Sequence, residues 1–289
     1  MRYDYIKIVK KLNIGSSMIY IMLVAGAVFM IMPFLWMISS SLKDMESVFI
    51  FPPQWIPRKI ILNNYKQLFS SSYYNFGRYY INTIIVVILR LSGMFVFCSM
   101  AAYGFARLEF PLKNIFFMIV LATLMLPIQV LMVPLYFEMR YFRWINTFRA
   151  LVIPQALGCF GGAFSIFLLR QYFMALPKDL EDAAEIDGCN VPRTFYSIML
   201  PQVKTAYAAL AIFTFQGTWN DFVWPLIVIN NPKKYVISLG ISMFISDRAA
   251  LTNWPLLMAS SVLALIPIIV VFMFFQKYFM RNLVMSGIK

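Results

Sequence analysis

Nine residues from Gln216 to Trp224, QGTWNDFVW, gather two amides, a carboxylate and two indoles beside long apolar runs. Gln216, Asn220 and Trp224 recur every four residues, so on a continuous helix they would share one face. Hydrogen-bonding groups beside aromatic faces suit a polyhydroxylated ligand, and Gln216, Trp219, Asn220 and Trp224 are the candidates for that contact. A second reading stands beside it. A helix broken near Pro225 would use Asn220 and Asp221 to satisfy local backbone groups, with the tryptophans marking an interface.

The other chemically dense stretch is LEDAAEIDGCNVPRTFYSIMLP, from Leu180 to Pro201. Pro177 can open a helix because first-turn amides need no internal acceptor. Asp179, Glu181 and Asp182 then lie at the positive end of the helix dipole. Leu180, Ala183, Ala184 and Asp187 fall on a small, modestly apolar face, and Gly188 is placed to end the helix in a left-handed conformation. Asn190 can cap a second helix with Pro192 in its first turn, Phe195, Ile198 and Met199 on its apolar side, and Pro201 as its stop. Two short helices at a sharp bend make a rigid knob. Ala183 and Ala184 would allow another surface close approach, and Phe195 would fill a pocket in it. A pair of helices lying on lipid headgroups is the other reading, although acidic residues suit an anionic leaflet poorly.

Several chemistries are excluded by inventory. There is no histidine, and Cys98, Cys159 and Cys189 show no paired spacing, so zinc, haem and CxxC redox motifs are absent. No GxxxxGK loop is present to cradle a phosphate. No residue is assigned a catalytic role, and no metal or other cofactor is expected on this chain. The formal charge of +13 is dispersed along the sequence without a basic stripe, which points to anionic headgroups rather than nucleic acid.

The elements that must position these stretches are apolar. Of the 289 residues, 61% are hydrophobic and 13% charged, against roughly 25% charged in soluble domains. Crossing a hydrocarbon core takes about 20 helical residues. Six runs approach that length: about Ile14 to Leu42, Tyr79 to Ala106, Leu112 to Phe137, Thr147 to Leu169, Ala206 to Ile229 and Pro255 to Phe279. The expectation is an all-α polytopic membrane protein with six transmembrane helices, organised as residues 1–13, a membrane domain at 14–280 containing the loop 177–201, and a tail at 281–289. The first run is too long for a signal-peptide core.

Arg90 inside the second run must face protein, water or the interface. Pro127 and Pro134, with Gln129 between them, should bend the third. Gly158 and Gly162 form a small-xxx-small pair in the fourth, suited to close helix packing. Arg2, Lys7, Lys10 and Lys11 beside the first run favour a cytoplasmic N-terminus, and an even span number then places the C-terminus and the 177–201 loop on that side too.

The order of these residues resembles a known family, the permease subunits of bacterial ABC importers for carbohydrates, and within it the second permease of the maltose system. The resemblance rests on DAAEIDG at Asp182 to Gly188, followed by Phe195 and by Leu200-Pro201. It extends to SLK at 41–43, AAYGFAR at 101–107, FLLRQ at 167–171 and TWNDFVWPL at 218–226. It implies a subunit of the bacterial inner membrane paired with a second permease. Two cytoplasmic ATPase subunits would carry ATP and Mg, and an extracytoplasmic solute-binding protein would deliver a sugar. The coupling helix then maps to Leu180 to Gly188. Asp182 replaces the family's usual glutamate, Thr205 replaces a frequent proline, and the tail ends SGIK without a final glycine. An ion-coupled transporter and a non-transporting scaffold are the alternatives, the first opposed by the lack of a carboxylate near the middle of any run except Asp221.

Overall fold

The computed structural model describes residues 14–70, 75–159, 161–245 and 252–285, and these are helical or irregular with no strand among them. The N-terminal basic cluster and the residues 286–289 lie outside the described residues. The chain divides into two compact units, Met1–Leu68 with Phe244–Leu263, and Phe69–Met243 with Ala264–Lys289.

In the first unit, α1 (Ile14–Ser41) is apolar all round and largely bare, with Phe29 75% exposed. A helix with that surface needs lipid or another protein around it. Its C-terminal end is knitted to the loop that follows. Asn64, in α2 (Asn63–Ser70), donates from Nδ2 to the carbonyls of Ser41 (2.8 Å) and Lys43 (2.9 Å). Tyr65 Oη lies 2.7 Å from Ser41 Oγ. The buried Lys43 ammonium donates to the Gln54 carbonyl and sits 4.3 Å from the Trp36 ring centroid. Lys43 is thus satisfied by the loop that follows it, and the carbonyls of Ser41 and Lys43 by Asn64, at the end of a long apolar helix.

The second unit is built along α3 (Phe76–Arg107). Its buried side chains recur at helical spacing, including Tyr79, Val86, Arg90, Met94, Cys98 and Ala102. Along the chain come α4 (Lys113–Thr123), α5 (Ile128–Tyr141), α6 (Phe148–Ala156), α7 (Gly162–Met174), α8 (Asp179–Ile186), α9 (Val191–Thr194), α10 (Leu200–Gln202), α11 (Lys204–Trp219), α12 (Val223–Val228) and α13 (Ile237–Ser242). The last helix, α14 (Trp254–Met285), runs through both units' segments. Helices α6, α7 and α11 pack most extensively on α3. Gly93 permits the α6 contact, because a Cβ there would lie 2.3 Å from that of Ala156. Small residues are the usual means of close helix approach in lipid, where expulsion of water supplies no drive.

Three described helices are long and apolar enough to cross a membrane: Ser17–Ser41, Phe76–Arg107 and Trp254–Phe275. The remaining runs are interrupted. The third turns by 102° between Lys113–Thr123 and Ile128–Tyr141, with Pro127 extended at the joint (ψ 130°) and Pro134 retained inside α5. The fourth departs from the expected single helix. It is two helices, α6 ending at Ala156 and α7 starting at Gly162, and Gly158 (φ +91°) and Gly161 (φ +77°) adopt left-handed backbone. The fifth is parted at 220–222 and is entered through a 78° bend at Val203.

Candidate functional site: a docking loop and a polar cavity

The loop at 177–201 forms the two-arm knob expected from its sequence, with differences at each end. Helix α8 begins at Asp179 and carries Asp179, Glu181 and Asp182 in its first turn. Gly188 ends it at φ +76°, donating to Glu185 O while Cys189 donates to Ala184 O. Asn190 caps α9, its side chain accepting from the Arg193 amide at 3.0 Å. Pro201 does not stop this arm. Residues 195–199 widen into a π turn in which the Leu200 amide donates to Phe195 O, and the helix runs on to Gln202. The wider register accommodates a proline that lacks its own donor.

Burial sorts the loop residues into two sets. Asp182, Ala183, Asp187 and Gly188 are exposed, together with Glu185. Leu180, Glu181 and Pro201 are half-buried, and Ala184 and Phe195 are buried. Ala184 and Phe195 thus depart from the expectation that they meet another protein. Phe195 lies between the Tyr103 ring (5.0 Å) and the Phe173 ring (6.2 Å), which already fill its surroundings. Sequence reasoning missed Ile186, 86% exposed at the tip of α8, and Val191, 51% exposed at the start of α9. Their signal was available: both are large apolar side chains in an otherwise polar turn.

The AAYGFAR and FLLRQ segments form the joint beneath this knob. Tyr103 Oη donates to Glu181 Oε1 (2.8 Å), and Arg107 Nη1 pairs with Glu181 Oε2 (3.3 Å). Arg107 Nη2 also donates to the carbonyls of Phe173 (2.7 Å) and Leu176. Arg170 donates from Nε to Phe105 O (3.1 Å), its guanidinium 4.1 Å from the Phe117 ring centroid.

Farther along α3 lies a cavity of about 360 Å³. Its polar lining is Arg90, Gln155, Ser165, Thr214, Thr218 and Asp221, with Met94, Phe164, Phe213 and Trp224 among the apolar walls. Arg90 is 4% exposed and shares its hydrogen bonds between α6 and the break at 220–222. Nε donates to Leu151 O (2.7 Å), and Nη1 and Nη2 donate to Asp221 Oδ2 (3.1 and 3.0 Å). With the Gln155 amide turned to satisfy its neighbours, its oxygen accepts from Arg90 Nη2 at 3.2 Å. Thr214 and Ser165 hydroxyls both donate to Met94 Sδ (2.8 and 3.4 Å).

The structure separates the candidates at 216–224. Trp219 is buried, and its indole donates to Ala264 O at 3.0 Å. Trp224 is buried and donates to Ala150 O at 2.9 Å while presenting part of its surface to the cavity. Gln216 and Asn220 are exposed and do not line that cavity. The break after Trp219 removes Asn220 and Trp224 from a common helical face. Gly158 and Gly162, parted by the turn, instead come together beside Cys98: a Cβ on either would lie 3.8 or 3.5 Å from its Sγ.

This architecture defines a polytopic α-helical membrane protein with an interrupted helical core and a two-helix surface loop. The chain belongs to the family of binding-protein-dependent transport system inner membrane components, which it matches over residues 94–284. It is therefore a multi-pass permease of the ABC importer type. It is 35% identical over 236 residues to the arabinooligosaccharides transport system permease AraQ of Halalkalibacterium halodurans, covering 81% of each chain. It is 31% identical to the diacetylchitobiose uptake system permease NgcG of Streptomyces coelicolor, covering 91% of this chain and 85% of that one. The sn-glycerol-3-phosphate transport system permease UgpE of Yersinia pestis is 32% identical, with 92% and 95% covered. In fold, the chain resembles a subunit of a bacterial ABC transporter involved in alginate import, with a TM-score of 0.81, 23% identity, and 92% and 96% of the two chains covered.

Proposed function

We propose that this chain forms half of the translocation pathway for a sugar or oligosaccharide and is driven by a separate ATPase docked on its 177–201 loop. A second permease subunit completes the pathway, two ATPase subunits bind ATP and Mg, and an extracytoplasmic binding protein delivers the cargo. Both termini and the loop lie on the cytoplasmic side. The observation that carries the reading is the sorting of the loop: its inner residues are fixed to α3, while Asp182, Ala183, Ile186 and Asp187 form an exposed face of mixed acidic and apolar character. Such a face, with a large apolar side chain at its tip, suits a protein groove better than anionic lipid.

The cavity supports a passage that is polar in part and aromatic in part. Pairing of Asp221 with Arg90 supports a passive route, because that carboxylate is already engaged. The three relatives are named for different cargo, so the particular substrate lies in side chains that vary among them. Reconstitution with the second permease, ATPases and binding protein tests the reading, using arabino-oligosaccharide, diacetylchitobiose and glycerol 3-phosphate as labelled probes. Uptake of at least one saccharide is expected with ATP and all components present. Uptake by this chain alone on an ion gradient would overturn it.

A further inference from the structure

We infer that Glu181, Tyr103 and Arg107 form a strut that delivers movement of the docking loop to α3. The inference rests on the proposed function, in which the exposed side of α8 meets an ATPase, and it concerns the opposite side of the same helix. Both Glu181 carboxylate oxygens are committed to α3, one to Tyr103 Oη at 2.8 Å and the other to Arg107 Nη1 at 3.3 Å. Tyr103 and Arg107 are four residues apart, so a single face of α3 presents both donors.

Neither donor is free to swing. The Tyr103 ring is 5% exposed and is held against Phe173 (5.6 Å) and Phe195 (5.0 Å). The Arg107 guanidinium also anchors the carbonyls at the end of α7. Apolar packing of Leu180 and Phe195 holds the loop close but tolerates sliding. Charge-assisted hydrogen bonds resist sliding because they depend on direction as well as distance. Glu181 is thus a positioning residue turned toward its own chain, whereas Asp182, the next residue, is turned outward.

The test uses the whole complex of this chain, its partner permease and its ATPases, with Cys98, Cys159 and Cys189 replaced by serine. A reporter cysteine at Thr214 in the cavity is modified by a methanethiosulfonate reagent, with and without a non-hydrolysable ATP analogue. ATP-analogue binding is expected to change the labelling rate when the loop is wild type. In Tyr103→Phe, which keeps the ring, and in Glu181→Gln, which keeps the size, that change should shrink about fivefold while the ATPases still co-purify and bind the analogue. The double variant should lose no more than either single one. An undiminished response in both single variants would overturn the strut alone, and so would loss of ATPase binding in both, which would place Glu181 at the partner surface. A wild-type complex that retains no ATPase would overturn the proposed function and the strut with it.

Discussion

Two arginines on α3 each meet a carboxylate from a distant part of the chain, and the two pairs are built differently. Arg90 is 4% exposed at the cavity wall, and joins α3 to α6 and to the break between α11 and α12. Arg107 is 8% exposed, but its partner Glu181 belongs to a loop whose far side is bare. They stand about 25 Å apart along the helix at 1.5 Å per residue. The first pair fixes the shape of a cavity inside the bundle. The second joins the bundle to a surface on which another protein can push. One helix therefore carries both ends of a mechanical path.

The sharpest way to break this comparison is to remove each arginine in turn. Arg90→Ala takes the cation from the half-buried Asp221 and the donor from the Leu151 carbonyl, and should destabilise the protein by about 3 kcal/mol, read as a lowered unfolding midpoint in detergent. Arg90→Met with Asp221→Leu should recover most of that loss, since the pair is removed together. Arg107→Ala should cost less, roughly 1–2 kcal/mol, because Glu181 keeps the hydrogen bond from Tyr103. Equal losses at the two sites would remove the distinction between a pair inside the bundle and a pair at the loop.

The outward side of the loop is next in size. Ile186→Asp should weaken ATPase capture about 30-fold, the scale of an interface anchor worth about 2 kcal/mol, with the unfolding midpoint unchanged because the side chain touches little of its own chain. Titration of detergent-solubilised complexes with the purified ATPase checks it. The smallest effects belong to the turn that sets the knob's angle. Asn190→Ala removes the α9 cap and should cost about 1 kcal/mol. Gly188→Ala places a Cβ at φ +76° and should cost about the same. Both are measured by the same unfolding curves.

These sites also show what a sequence can reveal. Gly188 and Asn190 were legible because a left-handed helix end and a helix cap are set by residues within a few positions. Pro127 announced its bend for the same local reason. Arg90 and Asp221 each stood out as a charge within apolar sequence, but their pairing spans 131 positions and no local periodicity encodes it. The helix break at 220–222 dissolved the shared face of Asn220 and Trp224, and of the two glycines meant for packing along a helix, Gly158 instead joins Gly161 in left-handed backbone while Gly162 opens α7. Phe195 showed the limit of reading one arm alone. Its apolar side was evident, but whether it faced inward depended on Tyr103 and Phe173, both far away in sequence.

The central claim is that a separate ATPase seats on the outward face of α8 and that the inner face passes the motion to α3. A photo-crosslinker placed at Ile186 in the assembled, transport-competent complex measures the first half of that claim directly. The expected result is a covalent product with the ATPase whose yield changes when ATP binds. Crosslinks to phospholipid alone, in both nucleotide-free and ATP-bound states, would contradict it.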